Sequence, residues 1–148
     1  MRSQRYANNP IKSWDEVNWE HVRVELGSIT VLARELQLWV VLGSAHPLTL
    51  SHWPHNSLNI ISNDGELVTR YDKRICSHTE ATRFYTRGNQ AIKFEVDGYT
   101  FGCLICIEVN FPTLLLNTQC LVWIACCYPL TLLTRSFLQM RQPNRSLL

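Results

Sequence analysis

Apolar residues recur at three- and four-residue steps through Trp19, Val22, Leu26, Ile29, Leu32, Ala33 and Leu36, the spacing that lines up side chains on one face of a helix. Ser13 followed three residues later by Glu16 has the form of a capping box, so the pattern predicts an amphipathic helix over Trp14–Leu36. The remaining positions, among them Glu20, Arg23, Glu25, Arg34 and Glu35, make its solvated face. The period then changes. Leu38–Leu42 is an unbroken apolar run that stops at Gly43-Ser44, as expected of a strand buried on both faces. A helix leading into a buried strand is the α/β signature.

Two hairpins follow from turn chemistry. Ser57–Ser62 and Glu66–Tyr71 flank Asn63-Asp64-Gly65, and Gln90–Val96 and Tyr99–Ile107 flank Asp97-Gly98, each with glycine where a positive φ is needed. Ala45–Asn56 reads as a loop carrying two prolines and His46, His52 and His55. Between the hairpins, Arg74–Asn89 shows no clean period and reads as a long excursion, a kind of loop that in compact domains is usually functional. Past Pro112, Thr113–Cys120 fits a short helix and Leu121–Cys127 a further buried strand. After Pro129 the chain has neither glycine nor acid, so residues 1–129 read as one domain and 130–148 as a helical or disordered tail.

Composition narrows the function classes. With 148 residues and 46% hydrophobic content the chain can bury one ordinary core. Its 14 basic and 12 acidic residues are dispersed, which argues against a nucleic-acid partner. No apolar run reaches the length of a membrane span and the first residues lack the apolar core of a secretory signal, so a cytoplasmic protein away from the membrane is expected. The six cysteines are then expected as thiols. Cys103 and Cys106 form a C-x-x-C, but inside an apolar strand and without a second pair of matching spacing, which disfavours a zinc or redox site; the three loop histidines match no regular ligand set.

The chemistry concentrates in Phe101–Pro112, FGCLICIEVNFP. The apolar run delivers Cys106 at a strand end, beside Glu108 and the turn formers Asn110 and Pro112. A thiol there is either a core residue or a nucleophile in the crevice where strand ends open. A nucleophilic thiol needs a base, a cation for the developing oxyanion and an acid for the leaving amine. Lys73, ending a strand, and Glu80, within the long excursion, are the polar groups best placed to supply them.

The ordered set His55-Asn56-Ser57, Gly65, Tyr71-x-Lys73-Arg74, Glu80-Ala81-Thr82-Arg83-Phe84-Tyr85 with Gly88-Asn89, and Gly102-x-x-Ile105-Cys106-x-Glu108-x-x-Phe111-Pro112 resembles the carbon–nitrogen hydrolase (nitrilase) superfamily over about Trp14–Pro129, nearest its amidase and N-carbamoyl hydrolase side. The resemblance implies a partial α-β-β-α sandwich, with incomplete mixed sheets and flanking helices. It assigns Cys106 as nucleophile, Lys73 as the triad lysine, Glu80 as the second, assisting glutamate and the backbone N–H of Ile107 to the oxyanion. The implied reaction is thiol-dependent hydrolysis of an amide, N-carbamoyl or nitrile carbon of a small molecule, with no metal or organic cofactor and with homo-oligomeric association. The family's first glutamate lies on a strand before the helix that here starts near Trp14, and its later elements follow Pro129. The chain therefore reads as a central fragment, either of impaired activity or an inactive remnant that acts as an interaction module.

Overall fold

The computed structural model describes residues 13–48, 52–116, 122–126 and 130–133. A single 3-10 turn at Trp14–Glu16 precedes helix α1 (Trp19–Leu36), followed by strands β1 (Trp39–His46), β2 (His55–Ile61) and β3 (Leu67–Asp72), helix α2 (His78–Arg83), strands β4 (Lys93–Val96) and β5 (Tyr99–Ile105), a 3-10 turn at Cys106–Asn110, helix α3 (Pro112–Leu116), and strands β6 (Val122–Cys126) and β7 (Leu130–Leu133). The strands make two sheets, an antiparallel one ordered β3-β2-β1-β7 and a mixed one ordered β4-β5-β6, in which β6 runs parallel to β5.

The alternation of side chains along each strand divides the core in two. Val41, Leu58, Ile60 and Tyr71 leave the first sheet on one face and pack against Phe94, Val96, Phe101, Cys103 and Ile105 of the second. Val40 and Ile61 point the other way and meet Ala33, with Leu26 and Ile29, on α1. The result is helix on sheet on sheet, the α/β layering expected of the sequence.

Several boundaries differ from the sequence reading. The helix begins at Trp19 rather than Trp14, because the Asn18 side chain accepts from the His21 N–H and caps it, while Ser13 accepts from Asp15 and caps only the separate turn, with extended Val17 between them. Strand β1 continues past Gly43-Ser44 to His46, since β2 pairs with it residue by residue as far as His46 opposite His55. Residues 130–133, read as part of a tail, form β7 on β1, and the remainder of that stretch, 134–148, lies outside the described residues.

Beyond the reach of α1, the outer face of the first sheet turns polar. Arg70 donates to Asp72 through Nε (2.8 Å) and Nη2 (3.1 Å) and contacts His46 Nε2 through Nη1 at 2.7 Å; the Ser57 hydroxyl donates to Asp72 at 2.6 Å. Since a guanidinium only donates, His46 must offer a bare nitrogen. Its pKa lies below the ordinary 6.5, first through burial and then through the Arg70 charge, with Asp72 opposing.

Two predictions follow from this packing. Gly65 has φ +78°, and a Cβ there would lie 2.5 Å from the Thr30 carbonyl oxygen of α1, so Gly65→Ala must push the hairpin off the helix as well as strain the turn. A loss of about 1–3 kcal/mol in urea unfolding is expected. For His46, the unfolded chain binds the proton more readily than the folded one, so its contribution is intact above pH 6.5 and lost as pH falls through the lower folded value. Unfolding midpoints between neutrality and pH 5 should fall with pH, and His46→Asn should flatten that slope.

Candidate active site

Lys73 follows β3 directly, on the side of the sheet that faces the second sheet, and is 1% exposed. A buried ammonium needs a counter-charge. Glu80 provides it, with Lys73 Nζ 2.6 Å from Oε1. The glutamate is brought there by α2, which the unpatterned excursion conceals: Ser77 caps its first turn by accepting from the Glu80 N–H, and Glu80 Oε2 accepts from the Ser77 N–H at 2.8 Å, a reciprocal capping box. One carboxylate therefore starts a helix with one oxygen and holds Lys73 with the other. Burial raises the Glu80 pKa, but hydrogen bonds from Lys73 and Ser77 outweigh it and leave the group below the usual carboxylate value.

The rest of the excursion is tied down on several sides. Trp14 Nε1 donates to the Phe84 carbonyl at 2.7 Å, His55 Nδ1 lies 2.7 Å from the Thr86 carbonyl, and the Thr86 N–H donates to Pro54. The Gly88 N–H donates to the Lys73 carbonyl at 2.8 Å, an approach so close that a Cβ on Gly88 would lie 2.4 Å from the Asp72 oxygen.

Cys106 lies at the end of β5 as the sequence pattern implies, one residue past the last strand residue, because β5 stops at Ile105 rather than Ile107. It opens the 3-10 turn at φ +55°, the left-handed region that favours glycine, and its side chain is exposed. Cys103 faces the other way, into the core, so the C-x-x-C does not present two thiols on one surface. Cys76 is buried too, and burial, reinforced by the Glu80 charge and opposed by Lys73, pushes its thiol up. Ile107 sits in the Cys106 turn.

What joins these pieces is Glu108, two residues after the thiol and completely buried. Its Oε1 accepts from the backbone N–H of Arg74 (2.8 Å) and Ile75 (2.9 Å), its Oε2 from the N–H of Ile105 (2.7 Å), and both lie 2.9 Å from the Tyr71 hydroxyl. Arg74 follows Lys73 and Ile105 precedes Cys106, so one side chain fastens the segment after the lysine to the segment before the thiol. Burial drives the Tyr71 phenol well above its usual range, opposed by an Arg74 hydrogen bond and reinforced by Glu108, so it serves as a donor at any ordinary pH. The sequence places Glu108 beside Cys106, at the end of the apolar run and within the ordered set of residues, but gives it no role. Among the described residues, no group of three or more His, Cys, Asp or Glu is placed to hold a metal ion.

The carbon-nitrogen hydrolase family model matches residues 10–119 of this chain, about three quarters of its length. The chain belongs to the carbon-nitrogen hydrolase family. Solved amidases of the nitrilase superfamily share its fold. One is a mutant of the amidase from Nesterenkonia sp. AN1 that carries the acetamide moiety of fluoroacetamide covalently added at its active-site cysteine; it is 17% identical with a TM-score of 0.67 over 75% of this chain. The NitN amidase of the same organism (20% identity, TM-score 0.60) covers 68% of this chain, as does a mutant of that amidase in complex with butyramide (19%, 0.60). This chain spans 43%, 39% and 38% of those three proteins, respectively. No match is found among the curated proteins. The fold is therefore the nitrilase-type sandwich in part, as the sequence implies, and β6 and β7 lie beyond the family match. No helix among the described residues is long and apolar enough to cross a membrane.

The Lys73–Glu80 pair gives a stability prediction. Removing the carboxylate leaves a buried ammonium without its counter-charge and deletes half of the α2 cap, so Glu80→Ala should lower unfolding free energy by about 3 kcal/mol or more. Lys73→Met in the same background should recover much of that loss, which a thermal melt of the double variant checks.

Proposed function

We propose that this chain is a thiol-dependent hydrolase of a small amide, with N-carbamoyl compounds and nitriles as the related carbon–nitrogen substrates, acting through Cys106, Lys73 and Glu80. The observation that carries this reading is an exposed thiol in a strained turn whose flank is hydrogen-bonded, through Glu108, to the flank of a buried lysine–carboxylate pair. Membership of the family and the fold of the amidases support it.

The reaction divides into two halves. Cys106 sulfur bonds to the amide carbon as its proton leaves through the Lys73–Glu80 pair, and the carbonyl oxygen takes up negative charge beside the Lys73 ammonium and the Ile107 N–H. The carbon–nitrogen bond then breaks, the proton goes to the departing nitrogen, and ammonia or an amine leaves a thioester on Cys106. Water, deprotonated through the same pair, attacks the thioester carbon and returns the thiol with release of the acid. Glu80 has a double part, since its charge holds Lys73 in place and its lowered pKa keeps it an ionised carboxylate near neutrality, the form the proposed proton transfer starts from. The small-molecule partner follows from this chemistry, and association into homo-oligomers is carried over from the family.

The test is ammonia release from a panel of short aliphatic amides and N-carbamoyl amino acids, together with the intact mass of the Cys106 peptide after a rapid acid quench. Turnover and an acyl adduct on Cys106 are expected, and Cys106→Ala should abolish both, a drop of about 10³-fold or more. Ammonia release that survives Cys106→Ala at the wild-type rate would sink the assignment. A folded chain that releases none would favour a non-catalytic interaction module.

A further inference from the structure

We infer that Glu108 is a positioning residue for the reaction, holding Cys106 in its left-handed conformation and in register with Lys73; this rests on the functional reading above. The geometry points to it from three directions. The side chain is completely buried, so it takes no part in surface solvation. All of its partners are donors, and three of them are backbone N–H groups from two separate segments, Arg74 and Ile75 after the lysine and Ile105 before the thiol. Cys106 itself, at φ +55° and not a glycine, occupies a conformation that persists only where its surroundings over-determine it.

The turn's own capping cannot do this. Its N-cap is Ile105, whose side chain has no acceptor for the turn's own N–H groups, and the Ile105 N–H itself donates to Glu108 Oε2. Nor can the sheets, because β3 and β5 belong to different ones and share no ladder. Within the residues named, the carboxylate is the bond between the two catalytic segments. Tyr71 adds a fourth donor from the first sheet and locks the carboxylate's rotation.

Glu108→Gln keeps the shape and removes the second acceptor oxygen. Whichever way the amide is turned, its NH₂ faces a backbone N–H, either Ile105 or the Arg74–Ile75 pair. Glu108→Asp keeps the charge but is one methylene too short to span both segments. The readout is the rate at which iodoacetamide alkylates Cys106, followed by peptide mass so that Cys76 and Cys103 are counted separately, with urea unfolding of each variant beside it. Cys106 is already exposed, so a slower reaction in folded protein reports lost positioning rather than lost access. We expect Glu108→Gln to slow it about tenfold, and to lower kcat on an amide substrate while KM stays within roughly threefold. Glu108→Asp should lie between that variant and the wild type.

A purely structural role predicts a different result, a lower urea midpoint with Cys106 in the folded fraction alkylated at the wild-type rate, and that result overturns the proposal. Should Glu108→Gln fail to fold, Glu108→Asp decides in its place, since wild-type alkylation in that variant is equally incompatible with positioning. The outcome is independent of turnover. If the wild-type chain releases no ammonia, the hydrolase reading fails while the alkylation comparison still tests Glu108.

Discussion

The structure around the site depends on one enclosed carboxylate. Moving a carboxyl group out of water is tolerable only when its oxygens find donors, and Glu108 finds four, one hydroxyl and three backbone amides. The dependence runs both ways. The loop after Lys73 and the strand end before Cys106 carry N–H groups that donate to these same oxygens. A second carboxylate repeats the arrangement a few residues away, where Glu80 serves both the α2 terminus and the Lys73 ammonium. Two glutamates thus do for this site what regular secondary structure does elsewhere, and each is bound to backbone as well as to a side chain.

This explains why Lys73 can be so deeply buried next to a core. Tyr71 near the end of β3 enters the cluster with Val41, Leu58 and Ile60, and Lys73, just past the strand, is buried at the margin where α2 brings Glu80. The apolar packing of the two sheets sets where β3 and β5 end; the polar network then sets what their ends present. The close approach of Gly88 to Asp72 completes the margin from the far side of the excursion. Packing therefore supplies coarse placement and hydrogen bonding the fine placement.

Much of this was legible in the sequence because it is written in period and punctuation. The stripe from Trp19 to Leu36, the run LWVVL and the two glycine turns at Gly65 and Gly98 each appear as the elements they predict. Cys106, Lys73 and Glu80 stood out by chemistry and by their order along the chain. What period cannot show is an element too short to have one. Helix α2 has only six residues and announces itself solely through Ser77 and Glu80, a capping box in the middle of a stretch without apolar rhythm. The part played by Glu108 was hidden for another reason. Glutamate is a surface residue by default, and only tertiary structure brings the amides of Arg74 and Ile75 to it from more than thirty positions away. The misplaced start of α1 has a local cause, since Ser13 and Asn18 both cap and only the second heads the long helix.

The strain at Cys106 bears on whether the arrangement is fold or function. Glycine would adopt φ +55° freely, and the site shows no need for a side chain to fill space, because the thiol projects outward. A left-handed non-glycine residue costs about 1 kcal/mol or more, and here packing returns nothing for it. The neighbouring thiol at Cys103 shows the alternative, a cysteine buried in the strand with ordinary backbone and a place in the core. Two residues further on, Glu108 makes the contacts that keep the strained turn from relaxing. On the proposed reading, a conformation that stability alone would discard, held by a buried carboxylate that also fixes the lysine segment, is accounted for by the one thing glycine lacks at that position, the sulfur.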